Sequence, residues 1–69
     1  GPAAGAASPL TARELEVRNL LTEGLTDRAV AERLVVSPKT VEKHVAAVLR
    51  KTGATSRTGA VVVALKRGW

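Results

Sequence analysis

Residues 25–53 read LTDRAVAERLVVSPKTVEKHVAAVLRKTG. They hold two helix starts in close succession. Thr26 and Ser37 can each accept a hydrogen bond from the first free N–H groups of a helix that follows. Leu25 lies where it can staple onto Val30, and Val36 where it can staple onto Val41. Pro38 is pre-shaped for the first position of the second of these helices, and Gly53 is the residue that would end it. About three residues separate the two, and the later helix is markedly basic. A short helix, a tight turn and a basic helix are what a helix-turn-helix that reads DNA requires.

The same grammar extends outward on both sides. Leu10-Thr11 opens an earlier helix, predicted from Ala12 to about Glu23. There Thr11 and Glu14 form a capping box, Leu10 staples onto Leu15, and Val17, Leu20 and Leu21 make an apolar stripe that Gly24 ends. The next helix is predicted over Asp27 to Leu34, with Val30, Ala31 and Leu34 inward. The basic helix is predicted from Pro38 to Thr52. At 100° per residue, Val41, Val45, Val48, Leu49 and Thr52 share one face; Lys39, Thr40, Lys43, Ala47 and Arg50 share the other, with His44 and Ala46 flanking. A last helix should follow Ser56 and run to about Lys66. Its stretch Ala60 to Leu65 is apolar throughout, which predicts burial all round. A second copy of the same helix is the simplest cover for the side its own core cannot reach. Val61-Val62-Val63 has strand propensity, but its length and helical surroundings favour a helix.

Composition narrows the function classes. Sixty-nine residues make one small domain, and without Cys, Phe, Tyr or Met its core must be aliphatic. Eleven Lys and Arg against six Asp and Glu leave a net charge of +5, which favours a polyanionic partner, either nucleic acid or an acidic membrane surface. No apolar run approaches the roughly 20 residues of a membrane span, and the apolar residues are distributed for a core rather than for a lipid-facing stripe. One His and six carboxylates show no metal-ligand spacing, and no cofactor is expected. Ser8, Ser37 and Ser56 sit at linker or capping positions, and His44 lacks a nucleophile to serve; it is expected to flank the core and bond a neighbour. The six glycines are scattered and form no phosphate loop. The chain therefore offers no catalytic candidate, and an enzyme is not expected.

On the basic helix, Lys39 and Lys43 are four apart, a like-charge spacing that costs an isolated helix a few tenths of a kcal/mol. A phosphate nearby would reverse that cost. Two roles compete for Glu42: it can pair with Lys39 one turn away, or accept from the N4 amino group of cytosine.

The segments LTARELEV, EGLTDRAVAERL, VSPKTVEKHVAAVLRKTG and SRTGAV, in this order and spacing, resemble the LuxR/GerE-type DNA-binding domain of bacterial transcription regulators. They cover nearly all of the chain after its first residues. The resemblance implies an all-α, compact four-helix domain in which helices two and three form the helix-turn-helix and the fourth helix dimerises. It implies base reading from Lys39, Glu42, Lys43 and Ala46. Phosphate contacts are implied at Thr26, Arg28, Thr40, Arg57 and Thr58. The dimer surface falls on Val61, Val62, Val63 and Leu65. Three departures stand out. Family members often carry Lys where this chain has Glu42. Gly59 replaces a usual Glu, so Ser56 loses its capping-box partner, and Gly itself costs about 1 kcal/mol relative to Ala in a helix. Arg18 replaces a commonly apolar residue, and its stem is expected to snorkel outward.

The resulting expectation is a cleavage scar and linker over residues 1–9, with Gly1-Pro2 as the scar, and a LuxR-type domain over residues 10–69 that ends naturally at Lys66-Arg67-Gly68-Trp69. This domain would be the cytoplasmic, C-terminal output module of a bacterial regulator, such as a response regulator of a two-component system. It would bind double-stranded DNA as a homodimer on paired half-sites, with RNA polymerase a further partner and no membrane contact. The rival from another class is a protein-interaction module that keeps the fold and binds a partner protein through the fourth helix.

Overall fold

The computed structural model describes residues 8–69. The expected scar and most of the expected linker, residues 1–7, lie outside them. Four helices follow in order: α1 (Ala12–Thr22), α2 (Asp27–Leu34), α3 (Pro38–Thr52) and α4 (Arg57–Lys66). Each starts at the expected cap. Thr11 and Glu14 form the reciprocal capping box, while Thr26, Ser37 and Ser56 accept from the backbone N–H groups of Ala29, Thr40 and Gly59. α1 stops one residue before Glu23, which caps it, and Gly24 then takes the left-handed conformation at φ 78°. The Val61–Val63 run is helical.

α3 is the hub, packed against α1, α2 and α4; α1 also meets α2 and α4, whereas α2 and α4 do not pack on each other. Val17, Val30, Val41 and Val48 are completely buried. One cluster, including Val17, Leu20, Leu21, Val30, Ala31, Val41 and Val45, seats the helix-turn-helix. A second joins Leu10, Val48 and Ala60, with Leu15 and Trp69 packed against it. The residues expected to staple join the same clusters: Leu25 and Val36 pack on the one that holds Val30 and Val41, and Leu15 on the one that holds Leu10. Burial of these aliphatic surfaces, rather than intrinsic propensity, holds helices as short as α2.

Three expectations are corrected. Ala47 is buried, not exposed, because α3 meets three helices and so buries more than one face. α4 is not buried all round: Ala60 and Ala64 face inward, while Val62 and Leu65 stay 45% and 52% exposed. His44 is half-buried, as a residue flanking the core should be, but makes no hydrogen bond among the described residues.

The turn between α2 and α3 carries one feature the sequence reading missed. Val35 caps α2 in the left-handed region, at φ 58° and ψ 48°, and is 89% exposed. A β-branched residue there is a steric outlier. The turn is short, so one residue must reverse the chain. Val36 then points back into the core, and its N–H reaches the carbonyl of Ala31 at 3.0 Å.

Candidate nucleic-acid interface

The outward side of α3 is set by what its inward side buries. With Val41, Val45 and Val48 fixed in the core, Lys39, Glu42, Lys43 and Ala46 form one stripe at i, i+3, i+4 and i+7. All four are exposed. The stripe starts at the helix N-terminus, where Ser37 holds the first turn: its Oγ accepts from the Thr40 N–H at 3.1 Å and lies 3.0 Å from Thr40 Oγ1. Glu42 makes no ion pair with Lys39 among the described residues, so its carboxylate stands free beside the two lysines. Arg50, exposed one turn beyond Ala46, continues the stripe. A small alanine between long cations leaves a shallow waist through which a groove edge could approach the helix backbone.

The remaining polar residues fall into two groups. Thr26, Arg57 and Thr58 line one cleft with Gly24 and Leu25. They meet because the N-termini of α2 and α4 converge there, each with a capped first turn and a partial positive charge. Arg57, on the wall of this cleft, also donates its guanidinium to the Asp27 carboxylate, joining the starts of the two helices. Arg28 lies elsewhere, in a depression with Glu32, Ser37 and Pro38 beside the start of α3. Thr40, half-buried, stays with Ser37. The five residues expected at phosphates thus divide between the start of α2 and the turn before α3 rather than forming one patch. Sequence reasoning missed the pairing of Asp27 with Arg57, because the two are thirty residues apart and carry no local signature.

The four α4 residues expected at a dimer surface divide. Val61 packs on the domain's own core and also lines the Thr26 cleft; Val63 is half-buried; Val62 and Leu65, one turn apart, are the outward pair. Beyond them Gly68, at φ 73°, reverses the chain. The Trp69 N–H then bonds the Ala64 carbonyl at 2.7 Å, and Arg67 stacks over the indole at 5.0 Å.

On the side of α3 away from the stripe, Lys51 Nζ lies 2.6 Å from Glu14 Oε1, which also accepts from the Thr11 N–H at 3.0 Å. Burial raises the Glu14 pKa. The Lys51 and Thr11 hydrogen bonds, with the charges of Lys51 and His44, outweigh it and hold the carboxyl below its ordinary value. Among the described residues, no cluster of His, Asp and Glu could hold a metal ion, and no helix is long and apolar enough to cross a membrane.

Residues 8–64 match the family described as bacterial regulatory proteins, luxR family. The chain is 47% identical over 60 residues to the transcriptional regulatory protein DegU of Brevibacillus brevis, an alignment covering 87% of this chain and 25% of DegU. It is 40% identical over 65 residues to the response regulator RamR of Streptomyces coelicolor, covering 94% of this chain and 32% of RamR. It is 41% identical over 59 residues to the spore germination protein GerE of Bacillus subtilis, covering 86% of this chain and 80% of GerE. The chain thus spans about a quarter to a third of DegU and RamR, and most of GerE.

Proposed function

The chain belongs to the luxR family of bacterial regulatory proteins, which are regulators of transcription and not enzymes, and on that premise we propose that it binds double-stranded DNA sequence-specifically through α3. The observation that carries this reading is the exposed stripe Lys39, Glu42, Lys43 and Ala46 on a helix anchored by a tight turn. α3 lies in the major groove with its N-terminal half against the base edges. Lys39 and Lys43 donate to guanine O6 and N7, Glu42 accepts from cytosine N4, and Ala46 allows close approach. Arg28 and Thr40 hold phosphates beside the turn, and Thr26, Arg57 and Thr58 at the start of α2; these contacts set register and affinity rather than sequence.

Two copies act together on paired half-sites about 10 base pairs apart, through Val62 and Leu65 with Val63 and Val61 beside them. In this reading the chain is the output domain of a longer cytoplasmic regulator that communicates with RNA polymerase. An anisotropy titration against random-sequence duplex at several salt concentrations tests DNA binding as such. Affinity should fall linearly on a log–log plot, each neutralised phosphate contributing about 0.9 to the slope. Affinity that ignores salt, or none at low salt, would refute the proposal.

A further inference from the structure

We propose that Asp27 is a positioning residue for DNA binding: despite its negative charge, it promotes binding by holding the Arg57 guanidinium beside the cleft that Thr26 and Thr58 line. The inference rests on the DNA-binding reading above. Asp27 is the first residue of α2 and Arg57 the first of α4. The two helices do not pack on each other, yet Arg57 Nη2 donates to Asp27 Oδ1 across the gap, with both side chains still partly open to solvent. Among the described residues, no other ion pair or side-chain hydrogen bond joins these helices.

An unheld arginine must give up much rotamer freedom when it meets a phosphate. Here that freedom is already restricted. The guanidinium has five N–H donors in a rigid fork, so the bond to Asp27 leaves others to serve a ligand, and Arg57 lines the same cleft as Thr26 and Thr58. The N-terminal location of Asp27 holds its own carboxylate in place through the partial positive charge of α2.

The sign of the effect makes the proposal testable. Simple electrostatics says that deleting an acidic residue beside DNA strengthens binding. Positioning says the reverse. Anisotropy titrations with a random-sequence duplex compare the native chain, Asp27→Ala, Asp27→Asn, Arg57→Ala and the double variant Asp27→Ala/Arg57→Ala, each checked for helix content by circular dichroism. Asp27→Ala should weaken binding by up to about eightfold at 0.1 M salt, the worth of one released counterion, and flatten the salt slope by up to about 0.9. Asp27→Asn keeps an oxygen for Arg57 and should restore native affinity or exceed it. In the Arg57→Ala background, Asp27→Ala should lose its harmful effect and strengthen binding, because only repulsion is then removed. If Asp27→Ala lowers helix content, Asp27→Ser, which keeps a good helix start but cannot reach Arg57, should show the same loss. Tighter binding by Asp27→Ala, or the same effect with and without Arg57, would overturn the proposal while leaving DNA binding intact. A native chain that does not bind duplex would overturn the DNA-binding reading itself.

Discussion

Lys51 of α3 and Glu14 of α1 form an ion pair at 2.6 Å on the side of α3 away from the exposed stripe, with the Glu14 side chain only 9% exposed. The same carboxylate closes the capping box with Thr11. One group therefore fixes both the start of α1 and the seat of α1 on α3, and so sets the attitude of α3 from behind.

This arrangement makes stability depend on acid. The Glu14 pKa is lower in the folded chain than its ordinary value of 4.5, so unfolding takes up a proton as pH falls. The stabilisation is fully present above about pH 4.5 and is lost as pH drops through the lower folded value. Urea denaturation at neutral and acidic pH should show this loss, and Glu14→Gln should reduce it. Lys51→Met should cost about 2 kcal/mol at neutral pH by leaving a buried carboxylate with only its Thr11 bond.

Val35 offers the opposite sign. Its side chain buries almost nothing, and its left-handed backbone is strained. Val35→Gly should raise stability by roughly 1 kcal/mol, since relief of the steric clash exceeds the added chain entropy. A loss of stability on denaturant titration would mean that the turn needs the branched side chain.

The four helices were legible in the sequence because their starts are written locally: a hydroxyl cap, an apolar residue before it and another at the fourth helical position. What was not legible depends on distance. Glu14 and Lys51 are 37 residues apart, and Asp27 and Arg57 are 30 apart; neither pair has a local signature. A helical wheel drawn for one buried face exposed Ala47, which α3 buries because three helices surround it. The apolar run in α4 told of hydrophobicity but not direction. Ala60 and Ala64 turned inward because α4 packs closely on α3, leaving Val62 and Leu65 outside. Lys39, Glu42, Lys43 and Ala46 were readable as neighbours from their spacing, whereas the separation of Arg28 from Thr26, Arg57 and Thr58 required the fold.

The outward pair on α4 sharpens the test of assembly. Val62→Glu places a charge in the exposed apolar pair without touching the core. It should abolish the affinity advantage of paired over single half-sites, with only a small loss on the single site from added negative charge. Retention of the full advantage by a folded variant would remove α4 as the dimer surface.

Trp69 should act as a lid on the cluster of Leu10, Val48 and Ala60. Trp69→Ala should cost roughly 2 kcal/mol in thermal or urea unfolding, less than a fully buried Trp would because the ring is only partly covered. DNA affinity at a temperature where the variant is folded should not change.

Base reading by α3 is the central claim, and selection of bound duplexes from a randomised pool tests it most directly. The native chain and Lys43→Ala would each be selected and then titrated on the native winner and on random duplex. The native chain should enrich a defined motif. Lys43→Ala should lose roughly 1–3 kcal/mol on that motif, change the preferred base at one position, and bind random duplex with a loss no greater than one phosphate contact would explain. Equal weakening on selected and random DNA, with the enriched motif unchanged, would contradict the assignment of α3 as the reading helix.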